Sequence, residues 1–150
     1  MLEVLRRIVQ EVDNAPSFQA ALDVLVASVR EATHTEVCSV YLLDDRTERL
    51  VLMANEGFNP SSIGVVSLGF GEGLVGLCAT REEPSNLQDA ATHPSYVYFP
   101  ETGEERYNAF LGVPIMNRRK VLGVLVVQQF ENRRFDEGEV AFLVTLSAQL

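Results

Sequence analysis

The sequence predicts an α+β fold in which antiparallel hairpins are flanked by helices. From Asn108 to Phe130, two mostly β-branched runs are joined by the polar turn Asn117-Arg118-Arg119-Lys120, which is typical of a hairpin. Both runs have so little polar surface that we expect both faces of this hairpin to be covered, in the middle of a sheet. Segments with apolar residues at helical spacing precede and follow the predicted strands.

Long helices are predicted at both ends of the chain. Residues 2–13 and 17–32 carry apolar residues at helical spacing and are separated by a break before a proline. Near the other end, Asp136 and Glu139 form the capping-box pattern of a further helix. This helix runs to Leu150 without a C-terminal capping signal, and we expect it to continue into another module.

Two further groups of strands precede the central hairpin. The runs 37–43 and 50–54 predict a first hairpin around the polar turn 44–48, and residues 65–68 predict a short third strand.

Gly112, Gly123 and Pro114 interrupt the central hairpin, and such residues inside strands mark a bulge or the close approach of another group. A helix packed on the glycines is the favoured explanation, ahead of a ligand touching the backbone.

Composition excludes several classes of protein. A chain of 150 residues with 47% apolar residues fits one globular domain, and its net charge of −9 argues against binding to nucleic acid or anionic membranes. No apolar run reaches the roughly 20 residues of a membrane span, and no signal peptide opens the chain. Cys38 and Cys78 lie within apolar segments, so we expect reduced, buried thiols in a cytoplasmic protein.

A glycine-rich turn, residues 69–73, leads into a predicted short helix that begins near Gly73. Free backbone N–H groups at a helix start attract anions, so a phosphate-binding loop is one interpretation. No Gly-Lys-Ser/Thr follows, and the dinucleotide-binding spacing is absent. A structural turn is therefore favoured.

The segment from Arg81 to Tyr107 has no regular period and combines prolines, acids and aromatic residues. Excursions of this length inside a compact domain are usually functional lids or disordered, and the aromatic residues argue against disorder. A lid over the sheet would supply apolar walls and a few polar groups, as small-molecule sites require, although the same aromatics could simply fill a satellite core. The candidate ligand-binding residues are Leu74, His93, Tyr96, Tyr98, Phe99, Glu101, Glu104, Arg106 and Tyr107.

The sequence supports no catalytic or metal-binding assignment. His34 and His93 lie far apart and have no ligand-spaced partner. His34 is expected to end a helix, where a basic group interacts favourably with the dipole. Neither cysteine has an adjacent base or resolving thiol, so packing is favoured over redox chemistry.

The pattern of elements resembles a GAF domain, the small-molecule-sensing fold of signalling proteins. Several segments closely resemble the N-terminal GAF domain of nitrogen-related phosphoenolpyruvate-protein phosphotransferases: VCSVYLLD at 37–44, EGLVGLCATREEP at 72–84, ETGEERYNAFLGVPI at 101–115 and RFDEGEVAFLVTLSAQL at 134–150. The resemblance implies an antiparallel sheet of about six strands. The terminal helices would lie on one face, and short helices and the lid would form a pocket on the other.

The resemblance also implies a regulatory function. Such a domain has no activity or cofactor of its own and modulates the autophosphorylation of catalytic domains further along the same chain, in response to glutamine and 2-oxoglutarate. The predicted lid holds six acids and two arginines, a poor environment for a dianion but a tolerable one for a zwitterion. We therefore favour glutamine, with Arg106 on its carboxylate and Glu101 or Glu104 on its ammonium group.

Other GAF types fit less well. Phe135-Asp136-Glu137 is contiguous, unlike the signature of cyclic-nucleotide-binding members, and Cys78 is followed by Ala79 where bilin-binding members have histidine. An enzymatic alternative is a free methionine sulfoxide reductase, which would need an exposed Cys78, alone or with Cys38, of depressed pKa. A third alternative is a dimerisation scaffold in which the stripe of residues 2–12 and the last helix pair with a second subunit.

Overall fold

The computed structural model describes residues 2–97 and 107–150. Within them lies an antiparallel sheet of six strands in the order β3-β2-β1-β6-β5-β4. The elements are α1 (Leu2–Asp13), α2 (Phe18–Thr33), β1 (Val37–Asp44), β2 (Arg49–Glu56), β3 (Ser67–Leu68), α3 (Gly73–Arg81), β4 (Ser85–Leu87), β5 (Ala109–Asn117), β6 (Lys120–Gln129) and α4 (Glu137–Ala148), with short 3-10 turns at Pro60–Ser62 and Ala90–Thr92.

The two faces of the sheet carry separate apolar cores. On one face α1, α2 and α4 bury residues such as Ile8, Leu25 and Leu143 against the sheet, and we call this the helix-face core. On the other face α3 packs through Leu74 and Cys78 in what we call the α3-face core. Each strand contributes side chains to both cores, because successive residues point to opposite faces of the sheet. The predicted α+β architecture, with the terminal helices on one face, is confirmed.

The predicted central hairpin is formed by β5 and β6 and lies inside the sheet. A bulge shifts its register between Ile115 and Met116, which pair with Gly123 and Val121. At Gly123 an added Cβ would lie 2.1 Å from the carbonyl oxygen of Tyr41 in β1. The expected helix packing is therefore wrong for this glycine, because the group that approaches it is the backbone of the neighbouring strand.

Pro114 lies in β5 where that strand has no described neighbour on its outer side. β4 pairs only with residues Phe110 to Gly112, although β5 continues to Asn117. Proline lacks the N–H of a ladder donor and is confined to edges, first residues and bulges of sheets. The shortness of β4 makes β5 a local edge at Pro114, which explains how a proline fits in an otherwise interior strand.

The structure corrects two sequence expectations. The third strand covers only Ser67–Leu68 rather than 65–68. The segment from Arg81 to Tyr107 was expected to lack regular structure, but its first part contains β4 and the turn Ala90–Thr92. Three residues are too few to show a period of two, and β4 exists because β5 offers a long partner.

Asn86 connects β4 with the start of α4. Its side-chain amide donates to the carbonyl oxygen of Phe135 at 2.8 Å, and the Phe135 N–H donates to the Asn86 side-chain oxygen at 3.1 Å. The next residue, Leu87, pairs with Phe110. Movement of β4 is thereby linked to the segment from which α4 begins.

The start of α4 has the predicted capping box, with Asp136 and Glu139 accepting each other's backbone N–H. Arg133 donates two hydrogen bonds to the Glu139 carboxylate, at 2.8 and 2.9 Å, and its guanidinium lies 4.4 Å from the centre of the Phe135 ring. Hydrogen bonding to Arg133 holds the pKa of Glu139 below its ordinary value.

Stability should therefore depend on pH through Glu139. Since the folded-state pKa lies below the unfolded-state pKa of about 4.3, the stabilisation is fully present above that value and is lost as the pH falls through the folded-state pKa. Glu139→Gln removes the charge but keeps the size, so its free energy of unfolding should fall less than that of the unaltered chain between neutral pH and about pH 3. Urea unfolding at both pH values measures this, and equal losses would contradict it.

None of the helices in residues 2–97 and 107–150 has the length and apolar character needed to span a bilayer.

Candidate functional site

A small cavity lies between the sheet and the start of α3. Its cavity volume is about 40 Å³, enough for a few water molecules. Its described walls come from the sheet, from the turn after β2, from α3 and from the described part of the predicted lid. The lining residues are Tyr41, Phe58, Leu68, Gly73, Leu74, Val75, Tyr96, Val97, Phe110 and Gln128.

The walls of this cavity are aromatic and uncharged. Tyr41 and Phe110 project from β1 and β5 and are almost fully buried, and Tyr96 closes the space from the lid side. Val97 is 42% exposed, which marks the outer side of the cavity. None of the described lining side chains carries a charge, so within this part of the chain the site depends on dipoles and ring faces.

Glycines allow α3 to start close to the sheet. Gly73 has φ +66°, a left-handed conformation that other residues rarely adopt, and an added Cβ would lie 2.7 Å from Leu68.

Asn55 fixes the wall that Phe58 provides. The Asn55 side chain accepts from the Phe58 N–H at 2.7 Å and donates to the Ser39 hydroxyl at 2.7 Å. Phe58 is thereby held by the sheet.

The first amides of α3 have no acceptor among the described residues. Glu72 occupies the N-cap position without a side-chain bond to the helix, and its carboxylate instead accepts from the Gly69 N–H at 3.1 Å and from Arg49 at 3.2 Å. The Gly76 N–H donates to the Glu72 carbonyl, which leaves the N–H groups of residues 73–75 open. Unsatisfied donors at a buried helix start call for a water or ligand acceptor, and all three residues line the cavity.

Gln128 adds a side chain that has no hydrogen-bond partner within residues 2–97 and 107–150. It lies near the end of β6, is partly buried, and lines the cavity. Its amide makes no hydrogen bond to any other described residue, in contrast to Gln129, whose amide bonds to His34 and Arg133. An amide with two donors and one acceptor can recognise another amide or a carboxylate.

With this geometry in place, comparison with known proteins identifies the family. The model of the GAF domain matches residues 17–150. The chain is a GAF domain.

Relatives place this GAF domain more narrowly. It is 51% identical over all 150 residues to the phosphoenolpyruvate-dependent phosphotransferase system protein of Escherichia coli (strain K12), and it spans only 20% of the length of that relative. The solved GAF domain of a phosphoenolpyruvate-protein phosphotransferase from Coxiella burnetii is 48% identical, with a TM-score of 0.94 over 98% of this chain and 88% of that one. The predicted family resemblance is confirmed.

A more distant structure shows the same fold only. The free methionine-R-sulfoxide reductase from Neisseria meningitidis, in complex with its substrate, has a TM-score of 0.84 over 99% of this chain and 84% of that one, at 24% identity. The question that follows is whether Cys38 and Cys78 of this GAF domain have the exposure and the lowered pKa that thiol chemistry requires.

The cysteines do not form a reactive pair. Cys38 belongs to the helix-face core and Cys78 to the α3-face core, so the sheet separates them. Burial raises the pKa of Cys78 to about 12 and also raises the pKa of Cys38. Both thiols stay protonated near neutral pH, and the nucleophile in thiol chemistry is the thiolate. The geometry of these residues gives the reductase alternative no support.

The candidate ligand-binding residues of this GAF domain fall into three groups. Leu74 and Tyr96 line the cavity. Tyr107 is buried and stacks on Phe130, with ring centres 4.5 Å apart, and the ring nitrogen of His93 accepts from the Ser95 N–H at 3.0 Å; neither is among the cavity-lining residues. The remaining candidates lie outside the described residues, and their role stays a prediction: Tyr98, Phe99, Glu101, Glu104 and Arg106.

Sequence reasoning missed the part of the site that the sheet provides. Tyr41, Phe110 and Gln128 come from three different strands. The orientation of Tyr41 follows from the alternation of side chains along β1. Its neighbours Val40 and Leu42 belong to the helix-face core, so Tyr41 must face α3. Nothing local marks Gln128, since a polar residue at the end of an apolar strand usually faces solvent.

The prediction that His34 ends a helix is confirmed. His34 caps the C-terminal end of α2 in the left-handed conformation. Within the described ranges no group of His, Cys, Asp and Glu side chains could hold a metal ion.

Proposed function

We propose that this GAF domain is the small-molecule sensor of a phosphoenolpyruvate-dependent phosphotransferase. In this proposal it modulates the autophosphorylation of downstream domains of the same chain in response to nitrogen metabolites. The observation that carries the proposal is an aromatic cavity lined by residues 73–75, whose N–H groups have no acceptor among the described residues, and by Gln128, whose amide has no partner among them either. Convergent polar groups in an apolar cavity are the usual make-up of a ligand site.

Glutamine is the proposed ligand, ahead of 2-oxoglutarate. The N–H groups at the start of α3 can donate to one carboxylate, and Gln128 can pair with a side-chain amide. The described walls offer no cation for the second carboxylate of 2-oxoglutarate. The predicted contacts of Arg106, Glu101 and Glu104 with the amino-acid group remain part of this proposal.

Binding requires the cavity to open. A volume of about 40 Å³ holds only a few waters, so glutamine has to displace a wall. Tyr96 and the partly exposed Val97 belong to the segment that follows the 3-10 turn Ala90–Thr92 and form the movable side. A ligand shifts this equilibrium only as far as it binds the open form more tightly than the closed form.

Contacts made by β4 connect the cavity with the start of α4. Phe110 lines the cavity and pairs with Leu87, and the neighbouring Asn86 holds the backbone of Phe135 just before α4. Opening of the cavity would then change how α4 packs. In the relatives this domain is part of a much longer chain, and α4 is the last described helix in sequence order.

Thermal unfolding tests the ligand assignment. A ligand that binds only the folded form stabilises it by about 2.7 kcal/mol at a hundredfold excess over Kd, which for a domain of this size raises Tm by roughly 5–10 °C. We expect this shift with glutamine and little with 2-oxoglutarate at equal concentration. A shift with 2-oxoglutarate alone would overturn the electrostatic argument, and no shift with either would overturn the assignment of this cavity to nitrogen metabolites.

A homodimer through the terminal helices is the second part of the proposal. Leu2 of α1 is 69% exposed and Val144 of α4 is 41% exposed, so apolar side chains on these helices lack cover within the described residues. Light scattering on the purified domain should give twice the monomer mass. Leu2→Glu combined with Val144→Glu should give the monomer with unchanged helix content, and a monomeric unaltered chain at high concentration would contradict this part.

A further inference from the structure

Two hairpin turns meet at one end of the sheet, where four basic side chains lie beside the acids of the first turn. The turn between β1 and β2 contains Arg46, and the turn between β5 and β6 contains Arg118 and Arg119. Lys120 begins β6, and its Nζ lies 3.7 Å from a carboxylate oxygen of Asp45, which shows that the turns are adjacent. We call Arg46, Arg118, Arg119 and Lys120, all of them exposed, the hairpin-end surface.

This surface is unusual in charge for the protein that carries it. The net charge of the chain is −9, yet here three arginines and the only lysine lie together. Several other basic side chains are paired, for example Arg49 with Glu72 and Arg133 with Glu139. Among the described residues, the guanidinium groups of Arg46, Arg118 and Arg119 have no ion-pair partner, so they are available to an external anion.

The backbone of the second turn is held in a conformation that arginine disfavours. Arg118 has φ 50° and Arg119 has φ 65°, both in the left-handed region. Two-residue hairpin turns with φ > 0 at both positions prefer Asn-Gly or Asp-Gly. Here arginines occupy both turn positions, although the backbone conformation favours Asn and Gly. Such departures from local consistency are expected where a residue serves function rather than folding.

An apolar feature adjoins the charges. Lys120 also borders an open cleft whose other walls are Leu43, Phe70, Asp45 and Glu48. Phe70 is 46% exposed, so its ring offers an anchoring point beside the basic groups. The acids Asp45 and Glu48 lie in the same cleft and repel any anionic group there, so the carboxylates of a partner would have to pair at the second turn while only an apolar group enters the cleft.

We propose that the hairpin-end surface binds an acidic segment of a partner protein. Carboxylates of that segment pair with Arg118 and Arg119, where the planar guanidinium allows two parallel hydrogen bonds, and an apolar side chain packs against Phe70. The charged groups lie on two hairpin turns, and the cleft beside them shares no lining residue with the cavity at α3.

The test uses a fluorescein-labelled peptide of alternating Glu and Leu as the probe. Its anisotropy is followed on titration with the purified chain at low salt and at about 150 mM salt, since electrostatic binding weakens as screening increases. The informative variant combines Arg118→Asn with Arg119→Gly, which removes two charges and supplies the preferred turn. Its Tm should be equal or higher, so a loss of binding is not a loss of folding. The matched control combines Arg6→Gln with Arg7→Gln, which removes two consecutive exposed arginines from α1.

The expected result is salt-sensitive binding to the unaltered chain that weakens at least about tenfold in the turn variant and stays unchanged in the α1 control. No binding at low salt overturns the proposal. Equal weakening in both variants also overturns it, because the attraction would then be a general effect of net charge. Tighter binding of duplex DNA or of anionic vesicles than of the peptide would reassign the surface to those partners.

Discussion

Replacing Gly123 by alanine is expected to cost about 3 kcal/mol or more of the free energy of unfolding. The added Cβ would lie 2.1 Å from the Tyr41 carbonyl oxygen and 3.1 Å from the Leu42 Cα, so backbone atoms and not a flexible side chain must move. Gly123 faces Leu42 at the end of the β1–β6 pairing, next to the bulge. Separating the strands there would also displace Tyr41, a wall of the cavity.

Gly69→Ala is the matched control for this prediction. At Gly69 the nearest atom to an added Cβ is Arg49 Nη1 at 3.7 Å, an ordinary contact. Its effect should stay within about 0.5 kcal/mol. Chemical denaturation of both variants measures the difference. A Gly123→Ala protein as stable as the control would show that the approach of β1 and β6 is looser than the structure has it.

Gln128→Leu is expected to weaken glutamine binding by about tenfold or more while leaving the free protein folded. Leucine is close in size, and the lost amide has no hydrogen bond to another described residue, so no partner within that part of the chain is left unsatisfied. In the complex, the ligand amide would lose its partner in a desolvated site, which costs on the order of 1–3 kcal/mol.

Gln10→Leu makes the same chemical change on the exposed side of α1 and serves as the control. Calorimetric titration of glutamine into both variants should give an unaltered Kd for Gln10→Leu alone. If Gln128→Leu binds glutamine as tightly as the unaltered protein, then Gln128 does not contact the ligand, and the amide-pairing part of the proposal fails even if the cavity is the site.

The elements that local pattern predicts well are long segments that are rich in apolar residues and bounded by clear turn or capping residues. The helices α1 and α2, the first hairpin and the central hairpin are all of this kind, and the capping box of α4 was visible in Asp136 and Glu139. β4 was not visible, because three residues carry no period and the strand depends on β5. The close approach at Gly123 was also beyond local pattern, because it is a property of how β6 meets β1.

The residues of the candidate site likewise fall into those that a local stretch of sequence indicates and those that only tertiary packing brings together. Leu74 and Tyr96, which line the cavity, could be proposed from sequence because they lie in segments whose composition stands out, a glycine-rich helix start and an aromatic lid; their contact with a ligand stays a prediction. Tyr107 looked similar in sequence, but its ring stacks on Phe130. Tyr41, Phe110 and Gln128 were missed because only the packing of α3 over three strands brings them together, and no single stretch of sequence contains that information.

In the proposed complex, the start of α3 forms the ligand-binding wall of the cavity. The most direct measurement is the change in backbone amide chemical shifts of the purified domain on titration with glutamine. Large, saturable shifts at Gly73, Leu74 and Val75 are predicted, because their open N–H groups would acquire an acceptor. Saturable glutamine binding with those three signals unmoved would place the ligand elsewhere and contradict the claim.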